Sequence, residues 1–286
     1  MKKMGILGPR GTHSEAAAVY LNEIIEEPSE LVIFSEIYEV LHAIEIGQID
    51  SGFVPVENSL EGSINITLDT LARSDNLIVT CELIWSVHNH LMAKSQIEVG
   101  KIKKIFSHAQ PISQCRNYLH KNCSKAEICT TSSTARAAEI VAESKINENY
   151  AAICTQRAGE LNGLVTIANE IQDNLNNSTR FFEIHRREDI KFDGYKEKIL
   201  IICQIYGGHA GALCEVLEEF AFRNINMTRI ESRPARTKLG EYIFFFDLDT
   251  DVDAKIIDEA IAAVRKKSIW LKNLGTFSVI DSLKGK

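Results

Sequence analysis

HRREDIKFDGYKEK, residues His185–Lys198, is the stretch on which the reading of the fold turns. It is charged and nearly devoid of apolar residues, so it reads as a linker, and the rhythm of the chain differs on its two sides. After it, strand-like Ile199–Ile205 leads to a helical Ala212–Phe222. Strands at Met227–Ile230 and Tyr242–Leu248, a helix at Ala254–Val264 and a last strand region at Ile269–Ile280 follow. That βαββαβ order predicts an α+β ferredoxin-like second domain over 199–286.

Before the linker, short β-like runs alternate with helical periodicity, the pattern of an α/β layer architecture. Met4–Leu7, Leu31–Phe34 and Gly52–Val56 are strand-like, and Ile37, Leu41 and Ile44 fall at helical spacing. A second set of units starts near Leu77, and Leu164–Ile167 and Arg180–Ile184 are strands that return to the first set. The expectation is a domain over 1–184 with one lobe of about 1–76 plus 164–184 and another of about 77–163, and a ligand cleft between them.

At 286 residues, 45% hydrophobic and 25% charged, the chain has ordinary globular composition, which sets aside disordered and fibrous classes. A net charge of −7 with no long run of Lys and Arg argues against a nucleic-acid partner and favours a small molecule. Seven cysteines, an odd number with no C-x-x-C pair, predict reduced thiols and no zinc ribbon. No stretch approaches the roughly 20 apolar residues of a membrane span, and Met1–Leu7 is too brief for a signal peptide, so a cytoplasmic protein without membrane contact is expected.

The candidate chemistry sits where strands pass into helices. Gly8-Pro9-Arg10-Gly11-Thr12-His13-Ser14 can aim backbone N–H groups at an anion, but matches neither a dinucleotide nor a nucleotide loop. Taken alone, Ser14 reads as an N-cap. Val54-Pro55-Val56-Glu57-Asn58-Ser59 ends a strand where ligands of open α/β sheets sit, although Asn and Ser also suit a plain turn. Ser107-His108-Ala109-Gln110-Pro111 and Thr131-Ser132-Ser133-Thr134 repeat the arrangement, with Thr131 or Ser132 suited to a cap. The recurrence predicts a cleft rich in hydroxyls and amides. In Asn177-Ser178-Thr179-Arg180-Phe181-Phe182, period two puts Thr179 and Phe181 on one face and Arg180 on the other. His88-x-His90 lacks a third ligand nearby and suggests no metal site.

In order and spacing, GPRGTHS, VPVENSLEGS, SHAQPISQC, SSTARAA, AAICTQRAGELNGL and NSTRFF, followed by GAL and NINMTRIESRP, resemble prephenate dehydratase with a C-terminal ACT regulatory domain. The resemblance spans nearly the whole chain. It implies a two-lobed periplasmic-binding-protein-like catalytic domain and a hydro-lyase of phenylalanine biosynthesis. Thr179 is then the essential threonine, Glu57, Asn58 and Ser59 the Glu-Asn-Ser turn, and Thr12, Ser107 and Thr134 the cleft hydroxyls. Phenylalanine is expected between ACT domains of two subunits near Gly211, Ala212, Leu213 and Asn226, with Glu231, Ser232, Arg233 and Pro234 close by, in a homodimer or homotetramer. His13, the exchanged Ala109 and Pro111, Asn162 and Gly208-His209-Ala210 depart from the family pattern.

Prephenate carries two carboxylates and a ring hydroxyl, and becomes aromatic by losing carbon dioxide and water. Aromatisation drives the reaction, so no cofactor or metal is expected. Thr179 is assigned to the leaving hydroxyl, Asn58, Ser59 and the Thr12–Ser14 turn to carboxylates, and Phe181 and Arg180 to the pocket wall or its bracing, with His108 as the rival acid. A binding protein on the same scaffold, an amino-acid sensor and an arogenate-specific enzyme are the alternatives.

Overall fold

Strand Ser51–Asn58, SGFVPVEN, is buried along its length except at Glu57, as befits a strand covered on both faces. The structure, a computed structural model, describes residues 1–282, so positions 283–286 of the expected second domain lie outside the described residues. Ser51–Asn58 runs parallel to Lys3–Leu7, which runs parallel to Glu30–Phe34. On its other side it pairs antiparallel with Ser178–Arg186, and that strand with Leu77–Ser86. Pro55 donates no hydrogen bond, and the register shifts beside it, between Arg180 and Phe181 on the partner strand.

The second lobe is built on a separate sheet in the order Val165–Ala168, His90–Ala93, Tyr150–Cys154, Lys104–Ser107 and Glu127–Thr130. Two sequence expectations change here. Leu77–Ser86 belongs to the first sheet and not to the second, and Val165–Ala168 pairs with His90–Ala93 and does not return to the first. An apolar run announces a strand but not its partner, and His90–Ala93 was hidden behind the two histidines.

Beyond the linker the βαββαβ order is realised by strands Lys198–Ile205, Met227–Pro234, Tyr242–Asp249 and Ser268–Asp281 with helices Ala212–Ala221 and Ala254–Lys266. One face of this sheet carries the helices, where Val216, Phe220, Ile257 and Val264 pack on Ile199, Ile201 and Phe246. The other face is also apolar: Leu200, Ile202, Phe245 and Leu274 share one core with Val54, Val56, Phe182 and Ile184 of the first lobe. Each such side chain contributes roughly 1.5–3 kcal/mol when fully buried, so this contact fixes the second domain against the first more firmly than exposed ion pairs could.

The two domains also share a sheet. Ser268–Asp281 pairs antiparallel with Lys198–Ile205 and then, from Ser278 to Asp281, parallel with Cys81–Ile84. The register shift in the antiparallel pairing falls at Gly275, between Asn273 and Thr276, where a φ of +109° and close approach to Ile78 and the Val79 carbonyl leave no room for a Cβ. No helix among the described residues is long and apolar enough to cross a membrane.

Candidate active site

Antiparallel pairing sets Thr179 opposite Asn58 at the ends of their strands. The Asn58 Oδ1 accepts hydrogen bonds from the backbone N–H groups of Leu60 at 3.0 Å and Glu61 at 3.1 Å, closing the turn after the strand. Its amide orientation is thereby fixed, and Nδ2 donates to Thr179 Oγ1 at 3.0 Å, Asn177 Oδ1 at 2.9 Å and the Ser178 carbonyl at 3.2 Å. A hydroxyl that already accepts such a bond keeps its single hydrogen for another acceptor. Ser59 ties the same turn to the facing strand, its Oγ accepting from the Ser178 N–H at 3.0 Å.

Asn58 and Thr179 line a cavity of about 360 Å³. From the first lobe come His13, Ser14, Pro55, Asn58, Thr179 and Phe181; Asn89, Gln110 and Gln114 close it from the other side. Phe181, stacked on Phe53 with ring centroids 4.9 Å apart, forms an apolar wall. Among the described residues, His13 Nε2, Asn89 Oδ1 and Asn177 Nδ2 are buried without a hydrogen-bond partner. Unpaired buried polar groups are costly, and these three belong to residues of one cavity wall, where a polar ligand would find partners. Among the described residues no Lys or Arg side chain lines it, and Glu61 is its one acidic lining residue.

His13 is the only imidazole on that wall. Although the residue is half-exposed, its Nε2 is sealed from solvent, and burial lowers the pKa to about 4 against an opposing contact with Asn89. The ring is neutral at physiological pH.

The remaining predicted residues fall into separate places. Thr12, not Ser14, is the N-cap of helix His13–Ile24; its Oγ1 accepts from the Glu15 N–H at 3.4 Å, which leaves Ser14 on the cavity wall. The lobes meet behind this turn: the Thr155 hydroxyl donates to the Gly11 carbonyl at 2.6 Å, and Gly11, with φ +83°, lies so close to Ala158 that a Cβ would collide with it. Ser107 is buried and donates to the Ile153 carbonyl at 2.7 Å, bridging two strands of the second sheet. His108 is exposed and caps helix Ala109–Gln114, and Thr134 is buried in the first turn of helix Thr134–Glu143, which Ser133 caps in place of Thr131 or Ser132. None of Thr12, Ser59, Ser107, His108 or Thr134 lines the cavity, the Ser59 hydroxyl being taken up by the facing 176–178 segment.

Arg180 turns away from Thr179, as period two requires, and is held by Glu82 and by Asp247 of the second domain, each at 2.5 Å. Burial pulls its pKa down, and the two carboxylates outweigh that and raise it. It is a brace and not part of the cavity wall. In the second domain, Gly211, Ala212 and Leu213 sit at the start of helix Ala212–Ala221, and exposed Asn226 donates to Asp249 at 2.6 Å. Ser232 is exposed, whereas Glu231 accepts from Ser63 at 2.9 Å and Arg233 pairs with Asp69 at 2.9 Å, so both charged groups are engaged with the first lobe.

Sequence reasoning missed Asn89 and Gln114. Asn89 is wholly buried between the two histidines, its N–H donating to Gln172 at 2.9 Å. Its signal was an amide inside a pair of residues read only for metal. Among the described residues no group of three His, Cys, Asp or Glu is placed to hold a metal ion.

A two-lobed cleft lined by hydroxyl and amide groups, an imidazole and the carboxylate residue Glu61, fused to a ferredoxin-like domain, fits a small-molecule enzyme with an attached regulatory-type module. Residues 4–189 match the family model for prephenate dehydratase and residues 201–265 that for the ACT domain. The chain is 34% identical over 273 residues to a prephenate dehydratase of Methanocaldococcus jannaschii, covering 96% of this chain and 97% of the relative. The structure of prephenate dehydratase from Staphylococcus aureus is similar, with a TM-score of 0.84 at 31% identity, covering 97% of this chain and 100% of the other. That of prephenate dehydratase from Arthrobacter aurescens, solved in complex with L-Phe, has a TM-score of 0.83 at 30% identity, covering 96% and 90%. The chain belongs to the prephenate dehydratase family, and its activity is the decarboxylating dehydration of prephenate to phenylpyruvate.

Since the cavity's imidazole is neutral well above a pKa of about 4, turnover at saturating prephenate is expected to stay flat from about pH 6 to 8.5. A steady-state pH profile checks this. A fall in turnover as pH rises through the imidazole range would instead assign the proton to a histidine.

Proposed function

We propose that Thr179 serves the reaction as an oriented hydrogen-bond donor to the departing ring hydroxyl. The observation that carries this is the bond from Asn58 Nδ2 to Thr179 Oγ1 at 3.0 Å, which occupies the hydroxyl as acceptor and leaves its hydrogen for hydroxide forming on the substrate. An alcohol is far too weak an acid to be a titrating catalyst near neutrality, so preorganised donation is the role left to it.

The substrate's carboxylates then fall to neutral donors. Ser14 in the first turn of helix His13–Ile24 offers a helix N-terminus, and Asn177 Nδ2 is unpaired. Withholding Lys and Arg from the ring carboxylate suits the chemistry, because a salt bridge there would stabilise the ground state that must shed carbon dioxide. Thr179→Ala is expected to lower kcat by about 10² to 10³, and Thr179→Ser to keep most of it; steady-state assay of phenylpyruvate formation decides. Near-wild-type turnover in Thr179→Ala contradicts the assignment.

We propose also that phenylalanine acts through the ACT domain, at the helix start Gly211–Leu213 and the exposed Asn226 and Ser232, with Glu231 and Arg233 serving the contact with the first lobe. The Arthrobacter relative's complex with L-Phe supports this ligand class. Regulation then requires different affinity for two states of the enzyme. Calorimetry of the full chain with L-phenylalanine is expected to give a saturable heat accompanied by a changed rate on prephenate; no heat of binding contradicts the proposal.

A further inference from the structure

Alternation along paired strands gives the reacting residues a reverse side. Asn58 and Thr179 are register partners facing the cavity, and their chain neighbours Glu57 and Arg180, also register partners, face the ACT sheet. Opposite them stand Arg229 and Asp247, register partners in that sheet. Arg180 Nη1 lies 2.5 Å from Asp247 Oδ2, and Arg229 Nε lies 2.9 Å from Glu57 Oε2. Arg180 Nη1 is also 3.9 Å from the same Glu57 oxygen. Three contacts thus link these four charges in a chain across the domain interface, with Glu82 holding Arg180 at 2.5 Å from its own strand, directly behind the Asn58–Thr179 hydrogen bond.

We infer that Asp247 and Arg229 are positioning residues for the dehydration. The inference rests on the reading of Asn58 and Thr179 as the reacting pair. The side chains of Asp247 and Arg180 are only 1% and 12% exposed. The Asp247–Arg180 contact is a close buried ion pair at 2.5 Å. Neutralising Asp247 removes one of the carboxylates that balance the buried Arg180 guanidinium. The guanidinium must then resettle on Glu82 and Glu57, and it is bonded to the backbone one residue from Thr179. A shift of about 1 Å at a reacting group costs up to about 10²-fold in rate. The same interface supplies its own control: Asp69 on helix Asn65–Arg73 pairs with Arg233 at 2.9 Å and with Arg236, away from either reacting strand.

The test compares full-length Asp247→Asn, Arg229→Gln and Asp69→Asn by kcat and KM for prephenate, with circular dichroism to confirm folding. Asp247→Asn and Arg229→Gln are expected to lose about 10- to 100-fold in kcat, with KM within about threefold of wild type. Asp69→Asn is expected to stay within about twofold in both, which a general weakening of the interface would not spare. Folded Asp247→Asn and Arg229→Gln that turn over like Asp69→Asn overturn the inference; if Asp247→Asn does not fold, Arg229→Gln decides by the same criterion. Thr179→Ala in the same assay separates the two readings. Loss there with normal Asp247→Asn and Arg229→Gln removes positioning alone, whereas full activity there removes the reacting pair and this inference with it.

Discussion

The antiparallel pairing of Ser51–Asn58 with Ser178–Arg186 is the constraint from which the site follows. It brings two segments more than a hundred positions apart to adjacent registers, and side-chain alternation sorts their residues between a cavity and an interface. The shift beside Pro55 lets a strand that lacks one N–H stay in the middle of a sheet. It also sets Phe181 opposite Pro55, so that both join Asn58 and Thr179 on the cavity side.

The second domain is joined to this pair of strands in three ways of different strength. The shared apolar core does most of the holding, the long last strand makes the sheet continuous, and the buried charges fix the register of one surface on the other. Buried ion pairs are weak evidence for stability, since desolvation offsets much of their attraction, and their best-attested use is to specify an arrangement. Here the arrangement specified lies one residue from the reacting groups. On the proposed reading, that is the physical route by which an effector on the ACT sheet would reach the cavity without touching substrate.

Much of this was legible in the sequence, for particular reasons. Thr179 and Arg180 read as opposite faces because period two needs only the knowledge that the segment is a strand, and polar strand ends read as ligand turns because sheets place ligands there. Strand partnership was not legible: Leu77–Ser86 and Val165–Ala168 have apolar patterns that suit either sheet, and topology assigned them. Ser59, Ser107 and Thr134 are hydroxyls at strand ends, yet the first two bond a neighbouring strand and the third starts a helix. A hydroxyl's partner depends on which atoms the tertiary fold brings near. Glu231 and Arg233 lie on the alternating face of Met227–Pro234, but the first lobe that covers that face is invisible from the second domain's own sequence.

On the proposed assignment, the chemistry reduces to one oriented hydroxyl in a cavity without a lining Lys or Arg among the described residues, with the drive supplied by aromatisation of the substrate. Asn58→Asp tests that orientation directly, because the carboxylate keeps the acceptor that closes the turn and replaces the donor that Thr179 receives. The measurement is kcat for Asn58→Asp, Thr179→Ala and the double variant. If Asn58 acts through the threonine hydroxyl, Asn58→Asp loses turnover steeply in the native chain and changes it little once Thr179 is already alanine. Losses that multiply in the double variant, or an Asn58→Asp enzyme with near-native turnover, would contradict the account.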